Sequence, residues 1–330
     1  MNDRARWRRI ALQGLFGASF AAVVIGFASG GNVDRMTFGD GRLHRVVAAD
    51  LDADDENVSP RLVGSGPSLR YGRIGFPAVL WAASGGREAA MRFVQPALMV
   101  LCAAGIAVAT AVLLQTRSPW MAMAPFVAVG LSAPLAGGFA EPLAVLLALI
   151  GVILVERKRT LGATAALMCA VFTRENAVVV VVGVVVWLAL HRRLRDAATL
   201  SLSVVPVAIW HLIVDQRFGH LPLRDPWLID TGALGVPVVA VGQAVGRVSA
   251  SGVVVVVAHL LIAAVAFRLW RKSVLGAIAA IAALPMLSVG ELSWRYIGDA
   301  SRLAVFLQVF VILALARSIS RTRTAGHASK

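Results

Sequence analysis

Asp34 and Asp40, Arg70, Tyr71 and Arg73, Glu141, Arg174 and Glu175, and Arg295, Asp299 and Arg302 are the residues of this sequence that could do chemistry. All lie in short polar interruptions between long apolar runs. Carboxylates accept protons, and arginines hold anions through a planar fork of donors. A charge inside a membrane segment costs about 2.5–3.5 kcal/mol on insertion scales, so such residues are normally paired or functional. Each also has a plainer role. Asp40 before Gly41 suits a turn or cap. Arg70 and Arg73 could anchor the chain among headgroups. Arg174 and Glu175 could be an ion pair closing a turn, and Glu141 a favourable charge at a helix start.

The first five of these belong to the one long polar stretch, residues 30–81, which also carries the acidic run Asp50, Asp52, Asp54, Asp55 and Glu56. That run lacks the order of a calcium loop and reads as solvated. Elsewhere the chain is apolar: 58% of its 330 residues are hydrophobic and 15% charged, with a mean hydropathy of +0.77. Soluble domains carry about 25% charged residues. Repeated apolar runs of roughly 15–20 residues make this an all-α polytopic membrane protein in contact with a lipid bilayer. The net charge of +14 does not indicate nucleic acid, because the basic residues sit in short clusters between the runs, as loops on the cytoplasmic side do. Cys102 and Cys169 lie within apolar runs and read as small core residues.

The elements that must position the site follow from these clusters. Arg4, Arg6, Arg8 and Arg9 precede an apolar run, Ile10–Ser29, too long for a signal peptide. It reads as an uncleaved first helix that places residues 30–70 outside. Ile74–Ala83, ended by Gly85-Gly86, is too short to span and reads as interfacial. Spanning helices are expected near Phe93–Gln115, Trp120–Ala136, Pro142–Val155, Ala197–Val214, Gly252–Phe267, Val274–Gly290 and Leu303–Ala316. Gly235–Val248 reads as a second interfacial helix.

Leu161–Leu190 has basic clusters at both ends and one polar interruption, Thr173-Arg174-Glu175-Asn176. Two cytoplasmic flanks require an even number of crossings, so the stretch is a hairpin turning at that tetrad. Arms of about 14 residues span ~21 Å against a hydrocarbon core of ~30 Å. The tip therefore lies recessed. About ten crossings result, with both termini cytoplasmic in the plasma membrane and the candidate site external. Of the 32 Lys and Arg, 18 then lie inside, where the only acids are Asp3, Glu156 and Asp196. Residues 1–317 form one domain, and 318–330 a basic tail expected to be disordered.

The motifs carry a resemblance. Gly39-Asp40-Gly41-Arg42-Leu43-His44, Tyr71-Gly72-Arg73-Ile74-Gly75-Phe76-Pro77, Ala140-Glu141-Pro142, Thr173-Arg174-Glu175-Asn176 and Asp299-Ala300-Ser301-Arg302-Leu303 keep one order along the chain. Together they resemble the GT-C superfamily of membrane glycosyltransferases, and within it bacterial mannosyltransferase-like proteins. Arg42-Leu43-His44 stands where that family has Gln and aromatics, and Gly72-Arg73 where it has an Arg pair.

The resemblance implies transfer of a sugar from a polyprenyl-phosphate donor to an acceptor of unidentified class, with inversion. Asp40, or else Asp34, would be the general base, with His44 as a further candidate. Arg73, Arg174 and Arg302, with Arg70 in reserve, would bind the lipid phosphate. Tyr71, Glu141 and Glu175 would complete the substrate site. Asp40 and Glu141 could hold a divalent cation, Mg or Mn, though no ligand spacing demands one. A transporter or flippase, or a non-catalytic membrane assembly subunit, remain alternatives.

Overall fold

A computed structural model describes residues 3–32, 40–51, 62, 66–225, 250–288 and 301–328. Among these there is no strand. The elements are helices α1 (Asp3–Ser29), α2 (Asp40–Ala49), α3 (Pro67–Gly72), α4 (Gly75–Ser84), α5 (Glu88–Leu114), α6 (Pro119–Ala122), α7 (Val129–Gly137) and α8 (Glu141–Glu156). They continue with α9 (Thr160–Thr173), α10 (Val178–Leu190), α11 (Leu194–Ser201), α12 (Val205–Phe218), α13 (Ala250–Leu269), α14 (Val274–Ala283) and α15 (Val305–Ala328).

Three described helical stretches are long and apolar enough to cross a membrane: Trp7–Ser29, Glu88–Leu114 and Leu194–Phe218. The others are shorter apolar helices packed between them. A single large core of Ala, Val, Leu and Ile holds them together. Side chains such as Phe27, Leu101, Trp120, Leu161 and Leu261 instead lie on the outer surface. Apolar surface on that scale is what lipid covers.

The helices run between two ends, and internal bonds identify which residues share an end. Gln13 of α1 donates to the carbonyl of Thr116, just past the end of α5, so these two helices run antiparallel. At that same end Thr160 donates to Asp196 at 2.6 Å, and Arg317 of α15 pairs with Glu156 of α8. Glu141 and Arg302, at the opposite ends of α8 and of the α15 segment, meet each other. The basic cluster Arg157-Lys158-Arg159 therefore lies a full helix length from the Asp40 end. Sixteen residues of α8 correspond to about 24 Å.

The expected hairpin forms: α9 has 14 residues and α10 has 13, joined by extended Arg174 and one 3-10 turn, Glu175–Ala177. Two expectations change. Trp120–Ala136 is not one helix, because α6 gives way to a 3-10 turn at Ala124–Val127 and Ala128 is extended before α7 begins. Pro125 lacks the N–H that would bond back to the preceding turn, which favours a break there. The segment after Arg317 is not an unstructured tail, since α15 continues to Ala328. The expected interfacial helix Gly235–Val248 lies outside the described residues.

Above the Asp40 end, α2, α3 and α4 pack on one another and against α5, α9 and α12. α2 buries Gly41, His44, Val47 and Ala48, a spacing of three to four residues that gives one apolar helical face. Val47, Leu62, Tyr71 and Val214 form a small second core with Trp210 and Phe218 packed against it. α4 ends at Gly85, whose φ of +61° closes the helix, as the Gly85-Gly86 pair implies.

Candidate active site

Two glycines set the approaches on which the site depends. A Cβ on Gly41 would lie 2.0 Å from the carbonyl oxygen of Gly137. Only glycine therefore lets the start of α2, with Asp40, rest on the end of α7, four residues before Glu141 in α8. Gly75 does the same for the second half, since a Cβ there would meet the backbone nitrogen of Thr173 at 2.7 Å. That contact sets the start of α4, and Arg73 just before it, against the hairpin tip. Gln95 of α5 fastens the first approach by donating to the carbonyls of Gly41 at 2.9 Å and Gly138 at 2.6 Å. Asp225 fastens α3, accepting from Ser68 Oγ at 2.6 Å and from the Leu69 backbone N–H at 3.4 Å.

These contacts bring four arginines and three carboxylates, widely separated in sequence, to one place. Asp40 forms an ion pair with Arg70 at 2.8 Å and accepts a hydrogen bond from Arg302 at 2.5 Å. Arg302 also donates from Nε to Glu141 at 2.9 Å, and its guanidinium lies 4.2 Å from the centre of the Phe139 ring. Glu141 takes a second guanidinium, Arg174, at 3.2 Å. Arg73 and Glu175 make a two-pronged pair, Nε to Oε2 at 2.7 Å and Nη2 to Oε1 at 2.5 Å. Glu141 is wholly buried, and Arg70, Arg73 and Arg174 are each less than a tenth exposed.

The charge balance is uneven. Among the described residues four guanidinium groups face three carboxylates, a formal excess of one positive charge. Arg174 leaves Nε and Nη1 with no hydrogen-bond partner among the described residues, and Glu141 leaves Oε2 so. A buried donor without a partner costs roughly 1–3 kcal/mol, and more when it is charged. The arrangement thus has capacity for one more anionic ligand at Arg174.

Burial alone would raise the pKa of Asp40, but Arg70, Arg302 and Arg73 outweigh it and hold the carboxyl well below its ordinary 3.8. Asp40 is therefore a carboxylate throughout the neutral range. Burial pushes Arg70 down, Asp40 pulls it up and the other three arginines push it down again, to about 10. It stays charged at neutral pH.

The remaining expected site residues fare differently. Tyr71 is buried away from the arginines. Its hydroxyl donates to the Asp50 carbonyl at 2.8 Å, its ring packs 5.3 Å from Phe218, and its carbonyl accepts from Trp210 Nε1 at 2.8 Å. It is a strut of the second core. His44 is 1% exposed, with its ring edge-on to Phe76. Burial pushes its pKa down to about 3 although Asp40 pulls it upward, so it is neutral and too weak to serve as a base at neutral pH. Asp34, Arg295 and Asp299 lie outside the described residues.

Asp40 and Glu141 do not make a divalent-cation site. Arg302 lies between them and bonds to both, and no group of three or more His, Cys, Asp or Glu among the described residues is arranged to hold a metal.

Sequence reasoning missed Gln95, Phe139 and Asp225. Gln95 had a signal, as one of very few polar side chains in an apolar run. The chain matches no protein-family model, no curated protein and no solved structure.

Proposed function

We propose that this chain is a membrane glycosyltransferase that moves a sugar from a polyprenyl-phosphate donor to an acceptor hydroxyl on the external face of the plasma membrane. On this reading the helices make about ten antiparallel passes in a GT-C-like arrangement, with both termini cytoplasmic. The observation that carries the proposal is that, among the described residues, Arg174 has two donors with no hydrogen-bond partner and guanidinium groups outnumber carboxylates, at the same end of the bundle as Asp40. A polyprenyl-phosphate sugar is a phosphodiester with one negative charge, which matches that excess. Arginine binds such oxygens in pairs.

In the reaction the acceptor oxygen bonds to the anomeric carbon as the bond from that carbon to the phosphate oxygen breaks. Asp40 takes the acceptor's proton, and the phosphate leaves with both electrons of the broken bond and a second negative charge. Arg70, Arg174 and Arg302 hold that charge. Entry of the phosphate draws Arg70 and Arg302 away from Asp40 and restores its ability to accept a proton. Arg73 and Glu175 keep the hairpin tip in register.

A second reading is favoured by one observation, the pairing of Asp40 with two guanidinium groups. If the cluster is only a tie between helices, the chain is a non-catalytic assembly subunit. A transporter or flippase is less well supported, because such proteins bind substrate near the midplane, whereas these charges gather at one end of the helices.

The test supplies membranes containing the protein with radiolabelled polyprenyl-phosphate mannose or arabinose and compares wild type with Asp40→Asn. Transfer by the wild type that falls at least about 100-fold in the variant is the expected result. Undiminished transfer in the variant removes Asp40 as the base, and no transfer from any donor favours the assembly-subunit reading.

A further inference from the structure

The ion pairs of the described residues are not all made alike. Arg73 and Glu175 meet through both carboxylate oxygens, and so do Arg317 and Glu156. Two-pronged pairs of this kind satisfy themselves. Arg174 and Glu141 instead touch at one point, Nη2 to Oε1 at 3.2 Å. Oε1 also accepts from Arg302 Nε. Glu141 Oε2 has no hydrogen-bond partner, nor do Nε and Nη1 of Arg174. Arg174 is 4% exposed and Glu141 0%. This pair therefore keeps two donors and one acceptor unfilled where bulk water does not reach them, a costly arrangement unless a ligand completes it.

The backbone at both positions is held. Arg174 is extended between α9 and the 3-10 turn, where its N–H donates to the Ala170 carbonyl and its own carbonyl accepts from Ala177, both at 2.9 Å. Glu141 opens α8 just ahead of Pro142, whose fixed φ suits a first helical turn. A ligand that completes both groups brings an acceptor, best an anionic one, to Arg174 and a hydroxyl donor to Glu141. The two must lie close together, because Arg174 and Glu141 are already in contact. A phosphate ester with a hydroxyl on the adjoining carbon meets that condition, and hydroxyls further round a sugar ring do not. The cluster is open beside Asp40, Arg302 and Glu175, whose side chains are 18%, 15% and 23% exposed.

We propose that Glu141 determines donor specificity: its Oε2 accepts the hydroxyl on the carbon next to the anomeric centre of the sugar, while Arg174 donates to the phosphate. Sugar phosphates lacking that 2-hydroxyl leave the buried carboxylate oxygen unfilled and are rejected. The inference rests on the glycosyltransferase reading for the class of ligand, but it concerns binding alone and requires no reaction.

The test titrates purified protein, in a non-ionic detergent that carries no sugar, and follows binding by calorimetry. The probes are mannose 1-phosphate and glucose 1-phosphate, which differ only in the orientation of the 2-hydroxyl, the 2-deoxyglucose 1-phosphate that lacks it, glycerol phosphate and inorganic phosphate. The tighter of the two hydroxylated sugar phosphates is expected to bind at least about tenfold more tightly than each of the other three probes. Arg174→Lys weakens the hydroxylated and deoxy ligands by a similar factor and leaves their ratio unchanged. Glu141→Asp keeps the charge but draws the oxygens back by one methylene, and narrows that ratio to about twofold or less. A merely structural role for Glu141 would weaken both ligands alike. The comparison in the wild type needs no variant, so poor folding of Glu141→Asp does not shield the proposal. Equal binding of the hydroxylated and deoxy sugar phosphates would overturn it, while the glycosyltransferase reading would still stand or fall on the transfer assay. Inorganic phosphate binding as tightly as the sugar phosphates would overturn it in favour of an adventitious ion only. Glycerol phosphate binding as tightly would overturn the sugar assignment in favour of a phospholipid headgroup. Preference for the 2-hydroxyl without transfer from any lipid-linked donor would uphold the site and remove the enzyme reading.

Discussion

Glu141 has no exposed surface, accepts a hydrogen bond from Arg302 and pairs ionically with Arg174, so water cannot take the place of either partner. Removing one member of a buried ion pair leaves an uncompensated charge and typically costs about 3–5 kcal/mol. Glu141→Gln is expected to destabilise the protein by that order, seen as a lowered unfolding midpoint in detergent. Asp40 adds a pH dependence of defined sign. Its folded-state pKa lies below the ordinary 3.8, so its ionisation stabilises the fold fully above that value and the contribution is lost as pH falls below it. Between about pH 5 and 8 Asp40 adds no slope to stability, and below about pH 4 the unfolding midpoint falls. In Asp40→Asn that acid-limb loss is smaller, which titration of the two proteins side by side would measure. If both lose stability alike between about pH 4 and 2, another carboxylate carries the acid limb.

At the scale of elements, the informative residues are small or neutral. Gly41 has no chemistry, yet it determines how closely Asp40 approaches Glu141. Gly41→Ala forces a methyl group against the Gly137 carbonyl, and the rigid backbone on both sides must move. Overpacking of this kind costs roughly 1–3 kcal/mol. The expected outcome is a modest fall in the unfolding midpoint with a much larger fall in sugar transfer, because Arg302 no longer reaches both Asp40 and Glu141. Equal activity in Gly41→Ala would mean that the Asp40–Arg302–Glu141 chain is not needed in its observed form. The hairpin was legible at this scale because its flanks are basic and its only charged residues sit in the middle. The break between α6 and α7 was less so, since an apolar stretch with prolines can bend, stop or continue, and the packing of α7 beside α1 and α15 decided it.

For the whole molecule, the two ends of the bundle differ in kind. One gathers the Asp40 cluster, and the other carries Arg157, Lys158, Arg159 and the Arg317–Glu156 pair. On the proposed topology the second end is cytoplasmic, as the positive-inside bias implies. In a background of Cys102→Ala and Cys169→Ala, Ala49→Cys is expected to react with an impermeant maleimide on intact cells, and Lys158→Cys only after permeabilisation. The reverse pattern would place the site inside and end the external-face proposal. Helices of 13 and 14 residues span only about 20 Å, and Arg174 at their junction is buried by its neighbours.

The sequence by itself determined the membrane class, the first helix, the hairpin at Arg174 and the polar residues worth examining. Each of these follows from local composition, from charge spacing, or from the length of an apolar run against the thickness of a bilayer. Partner identities were not local. That Arg302 joins Asp40 to Glu141, or that Arg73 meets Glu175 while neighbouring Tyr71 turns into a separate core, depends on contacts across more than 100 positions. Those contacts are set by how closely backbones approach at Gly41 and Gly75, and by where the amide of Gln95 finds its acceptors. No single segment encodes them, because each is a property of two surfaces brought together only when the bundle closes.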